Sequence, residues 1–458
     1  MPSSKIIHTE RGPVPEAEPS GTGELLRKAI LHIDCNCFFV SCERLRDPKL
    51  KNKPIIVGGG PGNMRRGIVS CGSYEVRKFG VHAGMSLVKA RKLCPEAMIL
   101  PGDFALYAEC SEKLIRVLKQ FSDKVEQASI DEAYVDLTGY AQMWLCPVPE
   151  GTPAGVGLCP VPEATPAGVG LCPVPKGTPA GVGLCPVPET EPSGTGGTYL
   201  NVLVEIQKAI DTIIGIPVSL GLADNKVTAK IAAGIKKPGI TVVPSDETRG
   251  FLGSLPIGEF PGIGPAISKE LRSIGIHTIG ELQWWTYPEM KNYFGAYGDY
   301  LYLAINGLDD RKVHEGTELP LSISKEHTFA YDQVDHEQVF LKLRFLAAKV
   351  FWRLRKYELH AREVRLKIRF ADFSDFTKTH VLPDFMSLDQ DIMPIVRSLF
   401  EKATKDSKKS IRLVGVGVGR LEKIESKALF TSAKASPLQK AVDELNERYH
   451  ELTILYGV

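Results

Sequence analysis

Several absences narrow the class of this chain before any motif is read. No apolar run approaches the roughly 20 residues that a membrane span requires. Residues 1–26 (MPSSKIIHTERGPVPEAEPSGTGELL) hold no apolar core segment after a basic start, so no secretory signal is expected there. The ten cysteines are then expected as reduced thiols in the cytosol. An excess of one charge is also missing. The 56 Lys and Arg stand against 54 Asp and Glu, a net charge of +2, so any basic surface has to be local. A biased composition is missing too: 43% hydrophobic and 24% charged residues exclude a fibrous or wholly disordered chain. At 458 residues the chain outgrows a single core, and two to four domains are expected.

What is present begins with a repeat. LCPVPEGTPAGVG at 145 returns with small changes at 158 and 171, and LCPVPETEPSGTGG follows at 184, a period of 13 residues. Its Pro and Gly content defeats both helix and central strand, which predicts an irregular surface insertion. PVPEAEPSGTG at 13–23 nearly duplicates PVPETEPSGTG at 186–196, as if one DNA element had been copied twice. Cys146, Cys159, Cys172 and Cys185 lack the short paired spacing that zinc sites favour, so an inert insert is the preferred reading.

With the insert set aside, strands and helices alternate. The segments are ILHIDCNCFFV, KPIIVGG, an amphipathic helix near 104–121, SIDEAYVD, the helix YLNVLVEIQKAIDTII, PVSLGLADN and KVTAKIAAGI. From about 245 short helices with Gly-rich turns take over, and from about 320 strands and helices rich in Lys and Arg. Such alternation indicates an α/β or α+β layer structure, spread over more than one domain.

Three acids lie in otherwise apolar runs: Asp34 in HIDCNCFF, and Asp131 with Glu132 in ASIDEAYVD. Carboxylates converging in a low dielectric repel one another unless divalent cations neutralise them, and hard Mg²⁺ with oxygen ligands suits such a set. Neighbouring strand residues point to opposite faces, so Asp131 and Glu132 can share a cluster only at a strand end, turn or bulge. The residues alone also fit a salt-bridged edge strand. In SCGSYEVRKFGVHAGM, Tyr74 and Arg77 are three apart on a helical turn, able to grip phosphate oxygens or simply to lie on a solvated surface. Lys236 and Lys237 precede a proline, as a point charge for a triphosphate or as an ordinary helix end. PGIG at 261–264 resembles a helix-hairpin-helix, whose glycine amides approach a nucleic-acid phosphate; a tight turn between packed helices fits as well. Between 342 and 369 ten Lys or Arg face two acids, an excess of +8. There Arg365, Lys367 and Arg369 share one strand face while Val364, Leu366, Ile368 and Phe370 pack inward, which favours a nucleic-acid backbone as partner.

HIDCNCFFVSCE, SYEVRKFGVHAGM, SIDEAYVDLTG, NKVTAKIAAGIKKPG and FPGIGPAISKELRSIGI occur in the order seen in Y-family translesion DNA polymerases, and the chain resembles the bacterial members of that family from about 28 to 450. The resemblance implies a right-hand polymerase with palm, fingers, helical thumb and α/β little finger. The expected layout is a tail at 1–27, palm at 28–37 and 103–244 interrupted by the insertion 145–198, fingers at 38–102, thumb at 245–318, little finger at 320–423 and a tail at 424–458. It implies template-directed DNA synthesis across damage, with two Mg²⁺ per site held by Asp34, Asp131, Glu132 and the Cys35 main chain. Tyr74, Arg77 and Lys237 match triphosphate-binding positions, Phe39 the steric gate against a ribose 2′-hydroxyl, and Phe38 the ring beneath the sugar. Gly262, Gly264, Arg365, Lys367 and Arg369 are the expected DNA contacts, and primer-template DNA and dNTP the expected partners of a monomer. No segment remains for a proofreading exonuclease.

Two features depart from that pattern or extend it. Asn36 stands where the family commonly has an acid, outside the assigned ligands. SKALF at 426–430 resembles a degenerate sliding-clamp peptide anchored by Leu429 and Phe430, or else a helix end. Two other readings of the whole chain are a non-catalytic DNA-binding scaffold and the catalytic subunit of a multi-protein mutagenic polymerase.

Overall fold

The computed structural model describes residues 28–59, 66–139, 196–315, 319–405, 407, 409–423 and 437–448. The 13-residue repeats up to 195, the N-terminal tail and the clamp-like peptide with Leu429 and Phe430 lie outside the described residues.

In chain order, β1 (Ile30–Cys35) leads to α1 (Phe38–Arg46), β2 (Ile55–Gly58), β3 (Val69–Gly72), α2 (Tyr74–Arg77), α3 (Leu87–Leu93) and β4 (Met98–Leu100). Then come α4 (Phe104–Leu118), β5 (Val125–Gln127), β6 (Glu132–Asp136), α5 (Gly196–Ile213), β7 (Val218–Ala223), α6 (Lys226–Ile235) and β8 (Gly239–Val242). A helical stretch holds α7 (Thr248–Gly253), α8 (Pro265–Ser273), α9 (Ile279–Leu282), α10 (Tyr287–Phe294) and α11 (Ala296–Ile305). Last are β9 (Ser322–Gln333), α12 (His336–Lys356), β10 (His360–Phe370), β11 (Asp375–Met386), α13 (Asp389–Thr404), β12 (Ile411–Glu422) and α14 (Pro437–Arg448). Two expectations shift. HIDCNCFF is not one strand, because Cys37 adopts a left-handed conformation (φ 47°) that ends the extended run and puts Phe38 and Phe39 in the first turn of α1. The helix after the insertion starts at Gly196 rather than Tyr199; its first turn needs no intrahelical partners for its amides and so tolerates glycine.

The chain divides into two compact units, residues 1–36 with 112–315 and residues 37–111 with 316–458. The first holds a five-stranded sheet, β5-β6-β1-β7-β8, in which only the β7–β8 pair is parallel. Helix α6, capped by the Asn225 side chain accepting from the Thr228 amide at 2.9 Å, lies close on β7. A Cβ on Gly221 would stand 2.2 Å from the Ala229 carbonyl oxygen, so only glycine permits this approach. Helices α7 to α11 surround their own core, with Leu252, Phe260, Leu271, Leu282, Met290 and Leu301 buried.

The second unit contains a small sheet, β3-β2-β4, and a four-stranded antiparallel sheet, β11-β10-β12-β9. The apolar faces of α12 and α13 cover the larger sheet over Leu343, Phe351, Leu366, Ile368, Val396 and Val414. Arg66, just before β3, makes a two-pronged ion pair with Asp332 of β9, at 2.6 and 3.0 Å. The 424–458 segment, expected as a tail, contains α14. Arg355 of α12, nearly buried, holds Asp443 of that helix at 2.6 and 2.8 Å and also Asp389 at 2.6 Å. Among the described residues no helix is long and apolar enough to cross a membrane.

Candidate active site

The acids gather at one end of the five-stranded sheet. In the antiparallel β1–β6 register Asp34 is the Cα partner of Glu132. Strand β6 begins at Glu132, so Asp131 lies in the turn before it and is released from strand alternation, the strand-end solution that adjacent carboxylates need. The turn is fixed locally: the amides of Ala128 and Ser129 donate to the Glu132 carbonyl, each at 3.1 Å, and the Ser129 hydroxyl donates to the Asp131 carboxylate at 2.6 Å. The Cys35 amide donates to the Asp131 carbonyl at 3.0 Å, which ties the end of β1 to that turn.

Two lysines of the α6 region reach the cluster. Lys230 Nζ stands 2.5 Å from Glu132 and Lys237 Nζ 2.6 Å from Asp34. Lys237, expected at a triphosphate, is therefore an ion-pair partner of a candidate metal ligand here. The fully buried His32 ring lies beneath, 3.9 Å from Glu132 and edge-on to Tyr134. His32 and then Lys230 hold the Glu132 carboxyl down to about 2 against the effect of burial. At 3.9 Å the imidazole is too far for a formed hydrogen bond and acts through its dipole, so the lysine is the firmer anchor. Asp131 shifts the other way: burial raises its pKa, and repulsion from Glu132 and Asp34 adds to that, against the Ser129 hydroxyl.

The donor chemistry fits a hard divalent cation, with three carboxylates from two chain segments and with burial, then mutual repulsion, disfavouring ionisation at Asp131. Among the described residues, however, no three acid, His or Cys groups stand in ligand geometry about one point. Asn36, beside the cluster in sequence, is buried and accepts from the Ser219 hydroxyl at 2.8 Å.

Phe38, Phe39, Tyr74 and Arg77 belong to the second unit. Phe38 is buried, and Phe39 stacks on Tyr107 of α4, ring centroids 4.5 Å apart and planes 21° from parallel. Tyr107 is itself locked: fully buried, it donates its hydroxyl at 2.7 Å to Glu43, a buried carboxylate of α1 that also pairs with Arg46. Tyr74 and Arg77 share a helical turn as their spacing predicts. The Arg77 guanidinium lies over the Tyr74 ring at 5.2 Å while its Nε donates to the Gly72 carbonyl at 3.0 Å.

In the helical stretch Gly262 has φ +97°, and a Cβ there would fall 1.9 Å from the Tyr297 hydroxyl. Gly264 caps α8, whose first residue is Pro265, and a groove of about 420 Å³ opens beside it, lined by Ser268, Lys269 and Arg272 among others. On β10 the alternation holds, with Val364, Leu366 and Ile368 fully buried. The basic face is nevertheless not unpaired. Arg365 meets Glu363 at 2.9 Å, Lys367 meets Glu326 of β9 at 3.0 Å, and Arg369 meets Asp375 of β11 at 2.6 Å. The local excess of +8 overstated the field because Glu326 of β9 and Asp375 of β11, both outside 342–369, bring acids to the same face.

Lys230, Tyr107 and Tyr297 escaped the sequence reading. Lys230 shares a helical face with Lys226, whose ammonium is bound by Glu126 at 2.6 Å; that i, i+4 lysine pair on an apolar helix was the one signal available. Tyr107 and Tyr297 read as ordinary periodic aromatics.

Comparison with known proteins identifies the family. Residues 33–234 match the impB/mucB/samB family, residues 320–429 its C-terminal domain, and residues 258–309 the thumb domain described for DNA polymerase-iota. The chain is 34% identical to DNA polymerase IV of Dehalococcoides mccartyi (strain CBDB1) over 425 residues, 92% of this chain and 95% of that protein. It is 32% identical to DNA polymerase IV of Staphylococcus aureus (strain JH9), covering 88% of this chain and 98% of that one. Among solved structures, the Y-family DNA polymerase chimera Dbh-Dpo4(243-245)-Dbh superposes with TM-score 0.67 at 23% identity, over 86% of this chain and 98% of that one. The insertion ternary complex of Dbh DNA polymerase gives TM-score 0.55 at 23% identity, over 85% and 98%. Three ordered family matches, relatives aligned over nearly their whole length and an acid cluster at a sheet end lead to one assignment: the chain belongs to the Y-family DNA polymerases and is a DNA-directed DNA polymerase with a divalent metal cofactor.

Proposed function

We propose that the chain copies DNA past damaged template bases, joining dNTPs to a primer 3′-hydroxyl with release of pyrophosphate and without proofreading. The observation that carries this reading is the Asp34–Glu132 cross-strand pair with Asp131 in the adjoining turn. Asp34, Asp131, Glu132 and the Cys35 carbonyl hold two Mg²⁺ in this proposal. Bound there, the ions lower the pKa of the primer hydroxyl and stabilise the departing pyrophosphate. The residues of the chain do the rest. Tyr74 and Arg77 grip the triphosphate, Lys237 exchanges its Asp34 contact for a phosphate, Phe38 supports the sugar, and Phe39 excludes a 2′-hydroxyl.

Primer-template DNA is held without sequence reading, by the Gly262–Gly264 turn and by the Arg365, Lys367 and Arg369 face. The domain layout is palm at 28–37 and 103–244, fingers at 38–102, thumb at 245–318 and little finger at 320–423. Fingers of about 65 residues cover little of the nascent base pair, which supports lesion tolerance. The chain acts as a monomer, and a sliding clamp binds through Leu429 and Phe430. The test is primer extension by the purified chain with Mg²⁺ on two templates that differ by one lesion. Extension past the lesion is expected; a stop at the lesion on a template otherwise copied would overturn the translesion assignment.

A further inference from the structure

Helix α12 presents two unlike faces. Val339, Leu343, Leu346, Val350, Phe351 and Leu354 are buried against the four-stranded sheet, in one core with Leu366 and Ile368. The opposite ridge carries Lys342, Phe345, Lys349, Trp352 and Lys356. Their spacings of 3, 4, 3 and 4 set cations and aromatic rings alternately along one line of the helix. Lys356 is exposed and the other four are half-buried. The ammonium groups of Lys342 and Lys349 lie 5.2 and 4.5 Å from the Phe345 ring centroid, and that of Lys356 lies 5.4 Å from the Trp352 ring. From 338 to 357 the sequence holds six Lys or Arg and no acid. Of these, Arg355 is taken by Asp389 and Asp443, while Lys356 meets Glu447 of α14 at 3.1 Å, a solvent-exposed pair that a phosphate can displace. On β10, by contrast, Arg365, Lys367 and Arg369 each face a carboxylate.

Packing on the sheet does not ask for aromatic rings on the far side of an amphipathic helix, where charged and polar residues suffice. Alternating rings and cations meet the two needs of an unpaired strand: a flat partner for each base and a positive partner for each phosphate. A duplex hides its base faces in the stack and can use only the cations. The ridge from Lys342 to Lys356 runs for about 21 Å along the helix axis, enough for a short single strand. We propose that this ridge of α12 is a binding site for single-stranded DNA, on the side of the four-stranded sheet away from the β10 cations. Bases stack on Phe345 and Trp352, and phosphates draw Lys342, Lys349 and Lys356 off the rings. The site is separate from every contact assigned to primer-template DNA or dNTP above.

The test keeps those other contacts occupied. The full chain is saturated with unlabelled primer-template DNA, and a short fluorescein-labelled oligo(dT) is titrated in and followed by anisotropy. Saturable binding to the loaded chain is expected, and its absence would overturn the proposal. Phe345→Ala combined with Trp352→Ala should weaken oligo(dT) binding roughly tenfold or more, while affinity for a blunt duplex changes by less than about twofold. Lys342→Gln combined with Lys349→Gln keeps both rings, and should make the slope of log K against log salt shallower by about one to one and a half units. Stacking should also quench tryptophan emission in the parent, and Trp352→Phe, which still stacks, should lose that quenching while keeping its affinity. Unchanged oligo(dT) binding in both double variants would overturn the proposal, as would an equal loss for the blunt duplex. Displacement of oligo(dT) by a lower concentration of oligoglutamate would overturn it as well, and would assign the ridge to an acidic protein segment.

Discussion

Asp34 and Glu132 face each other across the β1–β6 ladder, and each carboxylate is held by a different lysine, Lys237 at 2.6 Å and Lys230 at 2.5 Å. The two ammonium groups offset a repulsion that partial burial strengthens. In the proposed site a divalent cation would take the place of these two exchangeable partners.

Removing any one acid should therefore remove chemistry while the protein stays folded. Asp131→Ala and Glu132→Ala are expected to lower primer extension by on the order of 10³-fold or more, while affinity for primer-template DNA changes by about twofold or less. Single-turnover extension and fluorescence anisotropy on the same preparations separate the two effects. Equal extension by either variant would remove these residues from the site.

The acid limb of stability carries the signature of Glu132. Its carboxyl lies at about 2 in the folded chain, below the ordinary value of about 4.3. A depressed carboxylate contributes stability that is fully present above about 4.3 and is lost as pH falls through about 2. Glu132→Gln should thus be less stable than the parent at pH 6 in denaturant titrations, with the gap closing between pH 4.3 and 2. A gap independent of pH would mean that shape, not charge, makes the difference.

What the sequence made legible, and what it did not, follows the range of the interaction. The β10 alternation was readable because a period of two is local, and Val364, Leu366 and Ile368 are buried as it requires. The acids were readable as residues out of place in apolar runs, although Asp131 lies in the turn before β6. The ion-pair partners of Arg365, Lys367 and Arg369 were not all readable, because Glu326 and Asp375 reach β10 only through strand pairings whose register no local pattern encodes. Phe38 and Phe39 were misplaced in a strand because the break depends on one left-handed residue, Cys37, that is neither Gly nor Asn.

Sugar discrimination should depend on how firmly the Phe39 ring is held. Phe39→Ala is expected to raise ribonucleotide incorporation by about 10²-fold or more, consistent with loss of a steric clash worth a few kcal/mol. Tyr107→Phe keeps the 4.5 Å stack, and so should keep selectivity. It leaves the buried Glu43 one donor short, which should cost about 1–2 kcal/mol of stability. Competing dNTP and rNTP incorporation, with thermal melts of each variant, checks both halves. Unchanged sugar selectivity in Phe39→Ala would refute the gate.

Gly262 combines a backbone demand with a contact demand. Its φ of +97° strains any other residue, and a Cβ would press on the Tyr297 hydroxyl at 1.9 Å. Gly262→Ala should destabilise the helical stretch by about 1–3 kcal/mol and weaken DNA binding. Adding Tyr297→Phe deletes the nearest atom and should recover the contact part while the backbone part persists. Full recovery in the double variant would show that φ contributes nothing, and no recovery that the clash contributes nothing.

The neutralised face of β10 yields the sharpest electrostatic test. Lys367 is held by Glu326 at 3.0 Å, so a DNA phosphate must compete with a carboxylate already in place. In Glu326→Gln that competitor is gone, and the cation meets DNA at full charge. DNA affinity should rise severalfold near 0.1 M salt, and the slope of log K against log salt should steepen by up to about one unit for the one cation released. Lys367→Ala should move both quantities the other way. An unchanged slope in both variants would place this strand face away from the nucleic acid, and Lys367 and Arg369 would then serve only to balance the acids of β9 and β11.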